Sequence, residues 1–341
     1  MTTATNLDIT VVICTRNRAS QLQNALASAA LMKVPDGLRW EVLVVNNGSS
    51  DNTAEVALSF TDRLPIRVVR EDTAGLSNAR NRGVAEARGR YICWTDDDVL
   101  LDSGWLAAYA AAFKRHPEAA VFGGRISPVL GAPTPAWFAR LADYWPLTTL
   151  QAKRDFGNTP VPLDFAAGVT PWGANYAVRT AEQWRVRYEP ALGVSPHQRR
   201  VGEEAEAIHQ ILRAGASGWW VPGAEVRHII PAQRQTLRYV YDYFRASGET
   251  IAYLERTWPG IHHQSSNQHE LKRLHGGVLR LYPIALLNGA LFCAAWTVGA
   301  KRTSLRFLMR ASLCVGAAQL PVLRQLFGMR RRLKDPRHRI A

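Results

Sequence analysis

RYICWTDDDV, residues 90–99, is the stretch that decides how this 341-residue chain is read. Its first half is apolar on both sides of the alternation, as a strand buried on both faces requires. Three adjacent carboxylates, Asp96, Asp97 and Asp98, follow at once. They repel one another and cost stability unless a cation neutralises them. Hard divalent cations such as Mg²⁺ or Mn²⁺ take oxygen ligands and are often shared with substrate phosphates. The spacing of Asp96 and Asp98 puts two carboxylates on one side of an extended chain. An acidic loop or a helix cap leaves the same letters; the position directly after RYICWT gives the metal reading its weight.

Outward from this strand the pattern repeats. Residues 8–14 (DITVVIC), 40–45 (WEVLVV) and 66–70 (IRVVR) read as strands. Residues 19–32 and 75–88 read as helices, and SSDNTAE (49–55) carries the small polar residues of a helix start. Strands that alternate with helices and are apolar on both faces indicate an α/β fold with a mostly parallel sheet. Ligands bind such sheets outside the carboxyl ends of the strands. The polar clusters Thr15–Arg18, Asn46–Asp51 and Asp96–Asp98 all fall there, so they are expected on one rim. The middle, 124–175, is rich in Pro, Gly and Trp and reads as loops and short helices around a site. Residues 203–214 read as a helix closed by Gly215, and 219–229 as a further strand.

Two more constellations bear chemistry. In GLSNARNRG (75–83), Arg80 and Arg82 lie near a helix start, which suits a diphosphate because guanidinium matches phosphate oxygens bidentately. A solvated basic helix face is the alternative. Glu203 and Glu204 open an amphipathic helix, where a carboxylate either complements the helix dipole or serves as a general base.

Charge divides the chain. Residues 1–230 hold 24 basic and 23 acidic residues, whereas 231–341 hold 18 and 5, which places nearly all of the net +14 in the last third. A uniformly basic nucleic-acid binder is excluded, and no aromatic-basic RNA motif is present. A dinucleotide dehydrogenase is excluded by the lack of GxGxxG after the first strand. The four cysteines show no metal spacing, which fits a reduced compartment, and the first residues carry no export pattern. Residues 281–300 contain no formal charge and are long enough to cross a bilayer; Lys301 and Arg302 follow, then a shorter apolar stretch, 311–323, and a basic run, 330–341. The expectation is a membrane-embedded or interfacial hairpin with arginines toward anionic lipid, against two helices buried on the rest of the protein.

VVICTRNRASQL (11–22), EVLVVNNGSSDNT (41–53), AGLSNARNRGVAEARGRYICWTDDDV (74–99), WGANYAVR (172–179), GEEAEAIHQILRAG (202–215) and VPGAEVRHIIPAQR (221–234) resemble, in this order, the motifs of a family 2 glycosyltransferase with the GT-A fold. The layout also resembles bacterial exopolysaccharide glucosyltransferases of the succinoglycan type. The resemblance implies a catalytic domain over 1–245 and a helical, basic, membrane-associated region over 246–341. It implies that Thr15, Arg16 and Asn46 face the nucleoside, with Asn46 standing where the family usually has aspartate. Arg80 and Asn81 are then near the base and diphosphate, Asp96 and Asp98 bracket the ribose and the metal, Asn175 faces the donor sugar or acceptor, and Asp97 and Trp172 are further substrate-binding positions. Asp98, Asp96 and His228 are the implied ligands of Mg²⁺ or Mn²⁺. Glu204 matches the base, with Glu203 as fallback. The implied reaction is inverting transfer of a hexose from a nucleotide-sugar, a UDP-sugar by preference, to a lipid-linked saccharide. Its expected place is the anionic cytoplasmic face of the bacterial inner membrane. The rival reading is a membrane-associated nucleotide-binding scaffold of the same fold without turnover.

Overall fold

The computed structural model describes residues 7–143, 147–257 and 278–326. The β-branched run that starts the sequence becomes β1 (Leu7–Thr15), followed by α1 (Ala19–Ala29), β2 (Trp40–Asn46), α2 (Thr53–Leu58), β3 (Ile66–Arg70), α3 (Leu76–Glu86) and β4 (Gly89–Asp96). These strands pair in parallel in the order β3-β2-β1-β4, as the alternation requires. Successive side chains of β1 serve opposite faces. Ile9, Val11 and Ile13 enter one core with Leu22 and Leu26 of α1, and Val12 enters the other with Ala79 and Val84 of α3.

Beyond β4 come β5 (Val99–Leu101), α4 (Trp105–Arg115), β6 (Val121–Leu130), the short α5 (Ala136–Ala139), β7 (Asn175–Arg179), α6 (Thr180–Arg185), α7 (Glu203–Arg213) and β8 (Gly218–Ile230). The eight strands run β3-β2-β1-β4-β7-β6-β8-β5. β7 is antiparallel to both β4 and β6, and β5 is antiparallel to β8. The sheet is therefore mixed rather than mostly parallel. β7 enters from the long 131–174 excursion instead of a helical crossover, so nothing forces it to run parallel. Most of β6 falls in the 124–175 stretch that reads as loops and short helices, because Gly123, Gly124 and Pro128 interrupt its period-2 pattern, and β7 starts at the last residue of that stretch. The β6–β8 register shifts between Gly124 and Arg125. A Cβ on Gly124 would strike the Ala224 carbonyl and the Asn175 side chain, so only glycine fits this irregularity.

The described residues continue with α8 (Leu237–Thr257), α9 (Val278–Thr297) and α10 (Lys301–Leu326). α8 runs through residue 245, so a boundary at 245/246 falls inside one helix. Gly248 and Gly316 let α8 and α10 touch backbone to backbone. Leu305, Met309 and Leu313 of α10 join Val240 and Phe244 of α8 in a core that includes Phe138 and Ile230. Most of the described part of the 311–323 stretch is thus buried against protein. Among the described residues no helix is long and apolar enough to cross a membrane, which corrects the spanning reading of 281–300. α9 carries Pro283 and the buried Asn288, and it packs Leu281 and Ala285 against Cys314, Ala317 and Ala318 of α10. Its other face is open, with Leu286 75% and Leu287 61% exposed, and Val298 just after it is 79% exposed. The basic run 330–341 lies outside the described residues.

Candidate active site

The carboxyl ends of β1, β2 and β4 do gather on one rim. β4 ends at Asp96, a two-residue turn holds Asp97 and Asp98, and β5 leaves from Val99. Val99 is in register with His228 of β8, and the Ile229 N–H donates to the Asp98 carbonyl at 2.9 Å. This pairing carries His228 to the acidic turn, and its Nε2 lies 3.2 Å from Asp98 Oδ1. Asp96, Asp98 and His228 each offer one ligand atom, all within 4.8 Å of one another. Two carboxylate oxygens and one imidazole nitrogen, two of the three residues buried, are a donor set for a divalent cation, and the mixed oxygen–nitrogen chemistry suits Mn²⁺ at least as well as Mg²⁺.

The turn is also contacted by arginines. Arg18 Nη1 donates to Asp97 Oδ1 at 2.6 Å and to Asp98 Oδ2 at 3.1 Å. Arg234 Nη2 reaches Asp98 Oδ2 at 3.1 Å. Burial pushes the Asp97 carboxyl up to about 6 despite Arg18. Burial acts the same way on Asp98, but His228, Arg234 and Arg18 together hold it well below the usual carboxylate range. Neither arginine stood out as a site residue in the sequence. The signal for Arg18 was its place in TRNR at the end of β1, and for Arg234 its place six residues after His228.

Arg80 sits deeper than a phosphate ligand needs to. It is 3% exposed and lies over the rings of Trp94, Tyr176 and Tyr188. Its Nη1 donates to Tyr176 Oη at 2.8 Å, its Nε lies 3.4 Å from Glu203 Oε1, and its Nη2 lies 3.6 Å from Asp96 Oδ1. It therefore ties the end of β4 to the start of α7. Glu203 is buried, and burial with Glu204 alongside pushes its carboxyl up to about 8. Glu204 is only half-buried, and its Oε1 accepts the Gly173 N–H at 3.2 Å. Of the two carboxylates, Glu204 is the one a substrate hydroxyl can reach. Trp172, next to Gly173, is half-buried with its ring against the Arg154 guanidinium.

Thr15 is buried at the end of β1, and Arg16 Nη1 donates to the Asn47 carbonyl at 2.8 Å. Asn46 Oδ1 accepts the Ser49 N–H at 2.9 Å, which holds the turn after β2. Asn47 does more structural work than its neighbour. It accepts the Gly75 N–H and donates to the Glu71 and Thr73 carbonyls, fixing the approach to α3. Two expected ligand contacts are redirected. Asn81 spends its amide on the backbone of Tyr188, donating to its carbonyl and accepting its N–H, both at 2.9 Å. Asn175 is fully buried; its Oδ1 accepts from Trp105 Nε1 and Tyr109 Oη, and its Nδ2 donates to the Arg125 and Ala224 carbonyls. These four bonds exhaust its capacity. Asn175 fastens β7 to α4, β6 and β8 and does not face a ligand.

Residues 10–169 match the family model described as glycosyl transferase family 2. The chain carries a family 2 glycosyltransferase domain. Over 248 residues, 72% of this chain and 74% of the relative, it is 24% identical to the succinoglycan biosynthesis protein ExoM of Rhizobium meliloti. It is 29% identical over 111 residues to the poly-beta-1,6-N-acetyl-D-glucosamine synthase of Staphylococcus epidermidis; that match spans about a quarter of the synthase, 26% of its length. Among solved structures, the mannosyltransferase PcManGT from Pyrobaculum calidifontis, in complex with GDP-Man and Mn²⁺, superposes with a TM-score of 0.60 at 16% identity, covering 95% of this chain and 88% of that one. S. aureus TarS 1-349 in complex with UDP-GlcNAc gives 0.52 at 14% identity, covering 94% and 92%. At such identities the likeness establishes the GT-A-like α/β fold of this chain.

Proposed function

We propose that this glycosyltransferase moves a hexose from a nucleotide-sugar, a UDP-sugar by preference, to an acceptor hydroxyl with inversion at the anomeric carbon. The observation that carries the reading is the donor set of Asp96, Asp98 and His228 on the same rim as the accessible carboxylate of Glu204. These three residues would hold Mn²⁺ or Mg²⁺, which when bound neutralises the charge of the leaving diphosphate. The Gly173 N–H orients Glu204, which takes the proton from the acceptor hydroxyl. The acceptor oxygen bonds to the anomeric carbon as the bond from that carbon to the phosphate oxygen breaks, and the nucleoside diphosphate leaves. A single displacement needs one base and no second nucleophile. Arg80 holds the base helix and β4 in one frame. The relatives support a nucleotide-sugar donor and a polysaccharide context: ExoM by its name, PcManGT and TarS by their bound nucleotide-sugars.

The acceptor in this reading is a lipid-linked saccharide at the anionic cytoplasmic face of the bacterial inner membrane. Its support is the open apolar face of α9, followed by Lys301 and Arg302 in the basic last third of the chain. Such a helix lies in the headgroup region rather than spanning it. Lys301 packs on the Trp296 ring, 3.7 Å from its centre, an aromatic-cation pair of the kind favoured at that depth. The test is product analysis: the protein is incubated with a labelled UDP-hexose and bacterial lipid extract, and the anomeric configuration of the product is read by NMR. Label entering the lipid fraction with inverted configuration supports the proposal. A retained configuration, or label transferred to free sugars only, overturns the mechanism or the acceptor respectively.

A further inference from the structure

Asp98 is surrounded by one imidazole and two guanidinium groups. Its Oδ1 faces His228, and its Oδ2 takes both Arg18 and Arg234 at 3.1 Å. Arg18 also holds Asp97, so one guanidinium spans the two buried carboxylates of the turn. The arginines come from separate elements: Arg18 immediately precedes α1, and Arg234 ends a short 3-10 turn after β8. Their side chains are 36% and 26% exposed, whereas those of Asp97 and Asp98 are 5% and 9% exposed. The acids are fixed and the cations are long-armed and at the surface. Arg80 differs in this respect, its side chain 4% exposed and caged by three rings.

This arrangement cannot persist unchanged once a divalent cation binds Asp96, Asp98 and His228. Two guanidinium groups would then lie next to a double positive charge on a shared carboxylate, and like charges at that distance repel strongly in a partly buried site. A nucleoside diphosphate brings the opposite charge to the same place, with oxygens that match the guanidinium fork. We propose that Arg18 and Arg234 are exchangeable counterions: they neutralise Asp97 and Asp98 in the unliganded enzyme and transfer to the donor's diphosphate when cation and donor bind. The arginines thus compete with the metal but cooperate with the nucleotide. This inference rests on the donor-binding reading above.

The two roles give effects of opposite sign in the same variant. Arg18→Gln and, on the other element, Arg234→Gln are each titrated with MnCl₂ alone, with free Mn²⁺ followed by electron paramagnetic resonance. Each is then titrated with UDP or GDP, whichever the wild type binds, at saturating Mn²⁺ by calorimetry. The inference expects Mn²⁺ alone to bind about threefold tighter or more, and the nucleoside diphosphate about tenfold weaker, the loss of one charge-assisted pair. Permanent structural counterions would also give tighter Mn²⁺ binding but would leave the nucleotide Kd unchanged or lower. That result overturns the inference, as does unchanged Mn²⁺ affinity in both variants. Circular dichroism melting checks the fold, and the two sites on separate elements guard against one variant misfolding. If the wild type binds neither Mn²⁺ nor nucleotide, the donor reading falls and this inference with it. If the wild type binds both and the variants do not split, the inference alone falls.

Discussion

Glu204→Gln isolates the proton transfer from everything else the residue does. Glu204 is held through Oε1, which accepts the Gly173 N–H at 3.2 Å. Glutamine keeps an acceptor oxygen at that position and the same length, so the loop and helix stay in place. What it loses is the ability to accept a proton. General-base catalysis contributes roughly 10²–10⁴-fold, about 3–5 kcal/mol of barrier, and the loss should appear in kcat with little change in the donor KM. The companion variant Glu203→Gln should retain most activity at pH 7. Its carboxyl is buried, faces Arg80 and is pushed up to about 8, so the neutral amide imitates the form already present at that pH. The assay is initial-rate transfer of labelled sugar at saturating donor, with both variants checked for native melting. A kcat within about threefold of wild type for Glu204→Gln would refute the assignment. A larger loss for Glu203→Gln than for Glu204→Gln would reverse it.

The remaining predictions concern stability and surface. Glu203 keeps a proton in the folded chain that an unfolded glutamate releases near 4.5, so wild-type stability falls as pH rises from about 4.5 to about 8. Glu203→Gln cannot ionise, so its stability relative to wild type, from urea midpoints, should increase across that window; parallel pH curves would contradict the burial argument. Asn175→Ala leaves two buried donors and two buried carbonyls without their partner, which should cost ~3 kcal/mol in urea unfolding, whereas a ligand-contacting residue would affect KM and hardly move stability. Leu286→Asp with Leu287→Asp should weaken sedimentation with phosphatidylglycerol vesicles by about tenfold or more, because two exposed apolar anchors are lost. Melting should be unchanged, and undiminished vesicle binding would remove the lipid role of α9.

What the sequence revealed follows from how local each signal is. β1, β2, β3 and β4 with α1 and α3 are legible because short β-branched runs and Ala/Leu-rich helices alternate without interruption. The acidic turn is legible for the same reason: a strand buried on both faces can end in three aspartates only where something compensates them. β6 and β7 are not legible, since Gly123, Gly124 and Pro128 disguise one and the other is five residues entered from a long excursion. The partners of the acidic turn were equally hidden. His228 reaches Asp98 only through the β5–β8 register, and Arg18 and Arg234 lie 80 and 136 residues from Asp98 in sequence. Asn81 and Asn175 misled in the other direction. An amide in a motif does not say whether it faces a ligand or the protein: Asn81 is spent on the Tyr188 backbone, and Asn175 on two backbone carbonyls and the side chains of Trp105 and Tyr109. The tail reads as a membrane-embedded or interfacial hairpin from its charge-free length, because hydropathy does not weigh the close approach of α10 to α8 at Gly248 and Gly316, or the packing of α9 on α10.

The central claim is that Asp96, Asp98 and His228 hold a divalent cation that serves nucleotide-sugar cleavage. It is tested most directly by following nucleoside diphosphate release from UDP-hexoses by the wild-type protein with Mn²⁺, after chelation by EDTA, and with Asp98→Asn. Release that needs Mn²⁺ or Mg²⁺, stops on chelation, recovers on re-addition and is lost in Asp98→Asn is the predicted result. Release that continues at the same rate in EDTA, or in Asp98→Asn, would contradict it.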